Sequence, residues 1–239
     1  MKMQTALRLL YPSQCLTCAN PVEGDASLCG GCWRETPFIY GLTCRSCGVP
    51  LPGDDDGQDV QCDDCLTIAR PWHRGAAAML YKGNGRSIAL RLKHGDRTDF
   101  AVPASAWMAK AAPRMPADGV VVPVPLHWLR LLRRRYNQSA LLAKRIATRL
   151  DLTYLPDSLH RFRATDVLDG KTRDLRFAAM DQAIVPHPKR GGALAGKAVL
   201  LVDDVMTSGA TLAACAEACV SEGARSVDMV VLARVAKDD

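Results

Sequence analysis

Residues 198–212, AVLLVDDVMTSGATL, place two adjacent carboxylates between an apolar run and a loop of hydroxyls and glycine. Ala198 to Val202 predicts a buried parallel strand that ends at Asp203 and Asp204. Thr207, Ser208, Gly209, Ala210 and Thr211 follow, and a helix begins there. The backbone N–H groups of such a loop, with a helix N-terminus, make an anion cradle suited to a phosphomonoester. Gly209 permits close backbone approach and unusual dihedrals. Hydroxyls on either side of it can donate to phosphate oxygens. The paired aspartates stand where the 2′- and 3′-hydroxyls of a ribose need acceptors. A plain strand–turn–helix with a Thr or Ser N-cap would explain Thr207 or Ser208, but not two adjacent acids at a strand's end. Other phosphate motifs fit worse: there is no G-x-x-x-x-G-K-[ST], and Gly83-Asn84-Gly85 is not completed to G-x-G-x-x-G.

The second chemical signature is sulfur. Eight of the ten cysteines form four C-x-x-C pairs: Cys15/Cys18, Cys29/Cys32, Cys44/Cys47 and Cys62/Cys65. Two sulfurs at this spacing chelate one metal, and two such knuckles complete a tetrahedral Cys₄ site. Ten residues separate the first two pairs and fourteen the last two, which suits two zinc ribbons in sequence. Interleaved pairing is left open by the spacing alone. Zinc is favoured over iron or an iron–sulfur cluster, and no open coordination position is apparent, so two structural zinc ions are expected. Cys215 and Cys219 lie four apart in a helical stretch and read as small core residues.

The elements that must position these groups follow from composition and periodicity. The chain has 239 residues, 48% hydrophobic and 23% charged, enough for one core plus a small module. No apolar run approaches the ~20 residues that span a membrane, and Met1 to Tyr11 lacks the pattern of a secretory signal. A cytoplasmic protein with no membrane partner is expected. The net charge of +6 is uneven: His127, Arg130, Arg133, Arg134, Arg135, Lys144 and Arg145 crowd one stretch. Residues 12–66 show little helical periodicity and need a metal staple to fold. Pro71-Trp72-His73 reads as a boundary, giving a double zinc ribbon at 1–70 and an α/β domain at 71–239. Within the latter, strands are expected at Gly75–Lys82, Val120–Val122, Ala198–Val202 and Ser226–Arg234. Helices are expected at Arg86–Lys93, 101–112, Asn137–Leu150 and 209–222, the last closed by Gly223, with short strands and loops over 151–196. Alternating strands and helices imply a parallel sheet, whose ligands bind outside the carboxyl ends of the strands. The Pro123–Leu126 and Asp203–Thr211 loops can then share one crevice.

Segment 198–212 resembles the signature by which type I phosphoribosyltransferases bind 5-phosphoribosyl-1-pyrophosphate (PRPP). With the Cys-rich ribbons, Tyr81-Lys82-Gly83, Leu92-Lys93, Val122-Pro123-Val124-Pro125-Leu126-His127, Arg130 and Arg135-Tyr136-Asn137-Gln138 in order, the whole chain resembles the ComF family of competence-associated phosphoribosyltransferase-like proteins. The resemblance implies a type I phosphoribosyltransferase-like parallel sheet flanked by helices behind the N-terminal ribbon module. It puts the Val122–His127 loop near pyrophosphate and the Arg-Tyr-Asn-Gln segment at the site's mouth. Two departures stand out. The family often has Thr-x-x-Gln and then Arg-x-x-Asn; here Leu168 follows Thr165 and Ala179 follows Arg176. Both fall on the expected hood over the acceptor, not on the PRPP residues.

The resemblance implies a Mg²⁺-dependent transfer of phosphoribosyl to a small nitrogen nucleophile such as ammonia or a nucleobase. Such an enzyme must hold ribose by both ends, neutralise the departing pyrophosphate and exclude water. Thr207, Ser208, Gly209, Ala210 and Thr211 are assigned to the 5′-phosphate. Asp203 and Asp204 are assigned to the ribose hydroxyls and the Mg²⁺ that accompanies PRPP. Lys93, His127 and Arg135, with Pro123, Val124 and Pro125, are assigned to the pyrophosphate side, and Asp203, Asp204, Lys93 and Arg135 form the expected catalytic set. A second reading is a non-catalytic nucleotide- or single-stranded-DNA-binding accessory protein in DNA uptake, reusing the cradle and Arg133–Arg135 with the ribbons as docking modules. The acid pair favours the first, since a DNA backbone gives no reason for two acids beside a phosphate loop. Expected partners are PRPP, single-stranded DNA or DNA-processing proteins, and a second copy of the chain as a homodimer.

Overall fold

Runs of Val, Leu and Ala without polar alternation suit strands covered on both faces, and they build a parallel sheet here. The structure is a computed structural model that describes residues 12–94, 97–163, 172–180 and 182–236. In chain order its elements are α1 (Gly30–Glu35), α2 (Asp63–Thr67), β1 (Arg74–Leu80), α3 (Gly83–His94), α4 (Ala101–Ala111), β2 (Val120–Pro123), α5 (Trp128–Arg134), α6 (Gln138–Leu150), β3 (Thr153–Tyr154), β4 (Leu159–Arg161), α7 (Arg173–Met180), β5 (Ile184–Pro186), β6 (Ala198–Met206), α8 (Ala210–Ser221) and β7 (Ser226–Arg234). Five strands form one sheet in the order β1-β7-β6-β2-β3, every neighbouring pair parallel. The strands β4 and β5 make a separate antiparallel pair.

Alternate residues of the central strands feed two cores. Val199 and Leu201 join Val227, Met229 and Val231 on the face covered by α8. Leu200 and Val202 join Val230 and Leu232 on the face covered by α3, α4 and α6, where Ile88, Leu92, Met108, Leu142 and Ile146 are fully buried. The helical periodicity of α3 and α6 therefore reports real buried stripes. Cys215 and Cys219 are buried in the first core, as expected from their spacing.

Three elements differ from the sequence reading. The strand β6 does not end at the aspartates; it continues to Met206, because pairing with β7 continues through Asp203↔Val231, Val205↔Ala233 and Met206↔Arg234. The 151–196 stretch, expected as short strands and loops, contains the helix α7, which buries Met180 and part of Phe177. At eight residues it is too short to show a clear period. The basic stretch after β2 contains α5, whose Trp128, Leu129, Leu131 and Leu132 are all exposed, so no burial pattern marks it. Among the described residues, no helix is long and apolar enough to cross a membrane.

The ribbon segment packs directly against the sheet. Cys44, Cys47 and Cys65 belong to the α8-side core, and Leu16 to the other. The expected boundary residue Trp72 is buried and donates its indole N–H to the Ser46 carbonyl at 2.6 Å. Arg91 on α3 donates to the Leu16 carbonyl at 2.7 Å, and Asn84 to the Cys32 carbonyl at 3.3 Å. Between the second ribbon and β1 there is no room for side chains. A Cβ on Gly75 would lie 2.3 Å from the Ser46 carbonyl oxygen and 2.4 Å from Met229 Cε. Gly75→Ala should therefore cost about 2–3 kcal/mol through overpacking, lowering the melting temperature by roughly 4–12 °C. An unchanged melting curve would show that ribbon and sheet are not locked along this seam.

Candidate functional site

The parallel pairing of β2 with β6, ending at Pro123↔Val202, sets two strand ends side by side. The chain leaving β2 stays close, with the Val124 amide donating to the Val202 carbonyl at 2.9 Å. Asp203 and Asp204 follow directly. One Asp203 oxygen, Oδ1, accepts the Ser139 hydroxyl at 2.8 Å and the Asp204 amide at 2.9 Å. Asp204 is buried, and its Oδ1 lies 3.3 Å from Lys93 Nζ. Burial, and then the charge of Asp204, push the Asp203 carboxyl up to about 7, against the pull of Ser139 and Lys93. Lys93, which by sequence alone could have been an exposed helix charge, is thus drawn to the acid pair.

The Arg135–Gln138 segment holds this arrangement. Tyr136 donates its hydroxyl to the Leu92 carbonyl at 2.8 Å, and Gln138 donates to the Lys93 carbonyl at 3.4 Å, gripping the end of the helix that carries Lys93. Asn137 caps α6 through the amides of Ser139 and Ala140, and its own side-chain N–H bonds the Val124 carbonyl at 3.0 Å. That cap places Ser139 in the first turn of the helix, facing Asp203. Arg135 itself is exposed at the left-handed C-cap of α5, with φ +65°. His127 is buried and caps the other end of α5, its Nδ1 accepting from the Leu129 amide at 3.4 Å.

The loop after β6 turns on Gly209, the N-cap of α8, at φ +85°. The N-cap residue is glycine, so no N-cap side chain caps that helix. Ser208 Oγ accepts the Ala210 amide at 3.4 Å, while Thr207 is exposed. Beneath the loop lie groups that the sequence reading missed. Arg70 Nη1 donates to the Ser208 carbonyl at 2.8 Å, and Arg234 Nη1 to the Thr207 carbonyl at 2.7 Å. These contacts span 138 and 27 residues of chain, and no local pattern announces them. Of the residues where the hood motif departs, Thr165 and Leu168 lie outside the described residues; Arg176 and Ala179 fall on α7.

The cysteines resolve the pairing left open by their spacing. Cys15, Cys18, Cys29 and Cys32 form one cluster and Cys44, Cys47, Cys62 and Cys65 another, with the sulfurs of each within 4.8 Å of one another. The Cys18 and Cys29 sulfurs lie 3.6 Å apart and those of Cys47 and Cys62 3.7 Å. A zinc tetrahedron with bonds of about 2.3 Å puts its sulfurs about 3.8 Å apart, so both clusters fit zinc. Hydrogen bonds from Cys47 and Cys65 favour the Cys44 thiolate, while Cys65 is pushed up to about 11 beside it. Metal-free, Cys47 and Cys65 thus keep their protons, and loading with metal must release them.

Two outcomes follow. Asp203, protonated, favours the ligand-free fold: its contribution is fully present below about pH 4 and is lost as pH rises through about 7. The melting temperature of the ligand-free protein, relative to Asp203→Asn, should fall between pH 5 and pH 8; a constant difference would refute the raised carboxyl. Cys18 is exposed whereas Cys44 and Cys47 are fully buried. Titration with a chelator should therefore strip the first cluster before the second, seen as two phases of metal release; a single phase would contradict this.

Comparison with known proteins agrees with the geometry. Residues 6–66 match a double zinc ribbon domain, and residues 137–239 a phosphoribosyl transferase domain. The chain is 27% identical over 234 residues to the DNA utilization protein YhgH of Escherichia coli K12, covering 95% of this chain and 99% of that protein. It is 25% identical over 207 residues to competence protein F of Haemophilus influenzae, covering 83% and 87%. Among solved structures, the allosteric regulatory enzyme of purine biosynthesis superposes with TM-score 0.40 at 19% identity, over 60% of this chain and 30% of that one. A hypoxanthine phosphoribosyltransferase from Staphylococcus aureus does so with TM-score 0.33 at 16% identity, over 63% and 64%. In both cases this chain spans less than two thirds of the solved one. A double zinc ribbon followed by a phosphoribosyl transferase domain, with relatives named for DNA utilization and competence along most of its length, fits the ComF family.

Proposed function

We propose that this protein binds PRPP with Mg²⁺ and transfers its phosphoribosyl group to a small nitrogen nucleophile, releasing pyrophosphate. The observation that carries this reading is the convergence of Asp203, Asp204, Lys93 and the Gly209 loop at one end of β6. In this reading the amides of Ser208, Gly209, Ala210 and Thr211, with the hydroxyls of Thr207, Ser208 and Thr211, hold the 5′-phosphate. Asp203 and Asp204 accept the ribose hydroxyls. Lys93 neutralises charge at the leaving-group side, next to the Pro123-Val124-Pro125 turn. Asp203 and Asp204 would hold Mg²⁺ together with PRPP, and the ion would add positive charge beside the pyrophosphate. The nucleophile's nitrogen bonds to C1 as the C1–O bond breaks. The bonding electrons leave with pyrophosphate, and the nitrogen's proton passes to solvent. No covalent intermediate is needed, so catalysis is positioning and charge compensation.

Residues 1–70 serve in this proposal as the ribbon module and 71–239 as the transferase domain. A reducing cytoplasm suits eight thiols kept for metal rather than disulfides. The second reading, a nucleotide- or single-stranded-DNA-binding accessory protein, draws on the names of the relatives. It also draws on Trp33 and Tyr40, exposed beside Phe38 and Trp107 in one aromatic cluster that bases could stack on.

Calorimetric titration of the zinc-loaded protein with PRPP, with and without Mg²⁺, tests the choice. Binding should require Mg²⁺, and Asp203→Asn with Asp204→Asn should weaken it at least about 100-fold, the loss of two charge-assisted hydrogen bonds, with the fold unchanged by circular dichroism. Retained affinity in the double variant would sink the site assignment. A wild-type protein that ignores PRPP but binds single-stranded oligonucleotides, more weakly as salt rises, would establish the second reading instead.

A further inference from the structure

The second Cys₄ cluster and the phosphate loop are joined by two arginines. Arg70 Nη1 donates to the Ser208 carbonyl at 2.8 Å, and Arg70 lines one open cavity together with Cys65, Ser46 and Trp72. Its guanidinium also lies over the Trp72 ring, 5.4 Å from the centroid. Trp72 in turn donates to the carbonyl of Ser46, the residue between Cys44 and Cys47. Arg234 Nη1 donates to the carbonyls of Thr207 at 2.7 Å and Met206 at 3.4 Å, and its charge bears on the Cys47 thiol. The Nε atoms of both arginines are buried and make no hydrogen bond among the described residues. Two guanidiniums are therefore committed to this seam without full local compensation.

Peptide geometry converts these contacts into a statement about the ligand side. In a trans peptide the C=O and the following N–H point in opposite directions, and no cis peptide occurs among the described residues. Arginines that hold the Thr207 and Ser208 carbonyls toward the ribbon must aim the Ser208 and Gly209 amides away from it, into the cradle. Gly209 makes the approach possible, since a Cβ there would sit 2.8 Å from Arg70 Nη1 and 3.4 Å from the Trp72 ring. Four thiolates around one divalent ion carry a net charge of about −2, which two guanidiniums balance.

We propose that Arg70 and Arg234 are positioning residues for the phosphate loop, and that through them metal in the second Cys₄ cluster keeps the loop amides aimed at a phosphate. This rests on the loop being the 5′-phosphate site. Loss of metal there removes the anion that anchors the two cations, and the loop relaxes. Metal in the first cluster, which instead contacts α3 through Asn84 and Arg91, does not act on the loop.

Hydrogen–deuterium exchange of the full-length, zinc-loaded protein tests this without any ligand. In Arg70→Gln the peptide covering 206–211 should exchange at least tenfold faster, while peptides from α6 and β7 keep wild-type rates. Cys62→Ser, which loses the second metal, should accelerate the same peptide; Cys18→Ser, which loses the first, should leave it alone. Arg70→Lys, with the charge but not the fork, should fall between wild type and Arg70→Gln. Should Cys62→Ser fail to fold, the Arg70 pair still decides the matter. Exchange in 206–211 that ignores Arg70, or that responds equally to loss of either metal, overturns the proposal. PRPP titration of Arg70→Gln separates the two ideas. At least tenfold weaker Mg²⁺-dependent binding than wild type supports both, and unchanged binding overturns the positioning role. No binding even by wild type, with the loop still answering to Arg70, sinks the phosphate assignment and leaves the coupling standing.

Discussion

Two consecutive carboxylates near the end of a buried strand are the constraint around which this protein is arranged. Side chains alternate along a strand, so Asp203 and Asp204 leave β6 toward opposite faces of the sheet. Burial and the neighbouring acid push the Asp203 carboxyl up, and Asp204 is itself buried. Asp204 meets Lys93 on the α3 side. Asp203, whose charge is felt by Cys215 on α8, still reaches the Ser139 hydroxyl on α6 and the Asp204 amide. Unpaired buried charges are costly, so the helices that supply these partners must be held in register with β6. Tyr136, Asn137 and Gln138 do this, each bonding a backbone carbonyl of α3 or of the β2 loop.

The metal ribbons belong to the same arrangement and are not a detached appendage. The second one shares the α8-side core through Cys44, Cys47 and Cys65, and meets β1 where Gly48 and Gly75 leave room for backbone against backbone. The first shares the opposite core through Leu16 and adds Trp33 and Phe38 to Trp107 of α4. A segment with so few regular elements folds when metal replaces a core of its own. Here it borrows part of each core from the sheet as well. The two ribbons reach different parts of the candidate site: the first touches the helix bearing Lys93, and the second connects through Trp72 and Arg70 to the Thr207–Thr211 loop.

Much of this was legible in the sequence, for definable reasons. Spacing carried the cysteines, because chelation by a C-x-x-C knuckle is local geometry. Order of residue types carried the Thr207–Thr211 turn into α8, because a glycine turn at a helix N-terminus is built from consecutive residues. Apolar runs and fourfold spacing carried β2, β6, β7, α3, α4 and α6, because burial on both faces or on one stripe leaves those patterns. Legibility failed where burial leaves no pattern. The helix α5 exposes its large apolar residues, and α7 is too short to show a period. The end of β6 was misplaced because strand length is set by the partner β7, which continues opposite the acids.

By itself, then, the sequence determined the inventory: two four-sulfur sites, a phosphate-type loop, an acid pair and a parallel α/β frame. Each of these is a relation between residues close in the chain. Only the tertiary structure decided which knuckles cluster, that Lys93 meets the acids, and that His127 caps α5. It alone disclosed Ser139, Arg70 and Arg234, whose partners lie 64, 138 and 27 residues away. Those contacts depend on how strands align and how helices lie across them, and strand register and helix packing are properties of the assembled core that no stretch of neighbouring residues encodes.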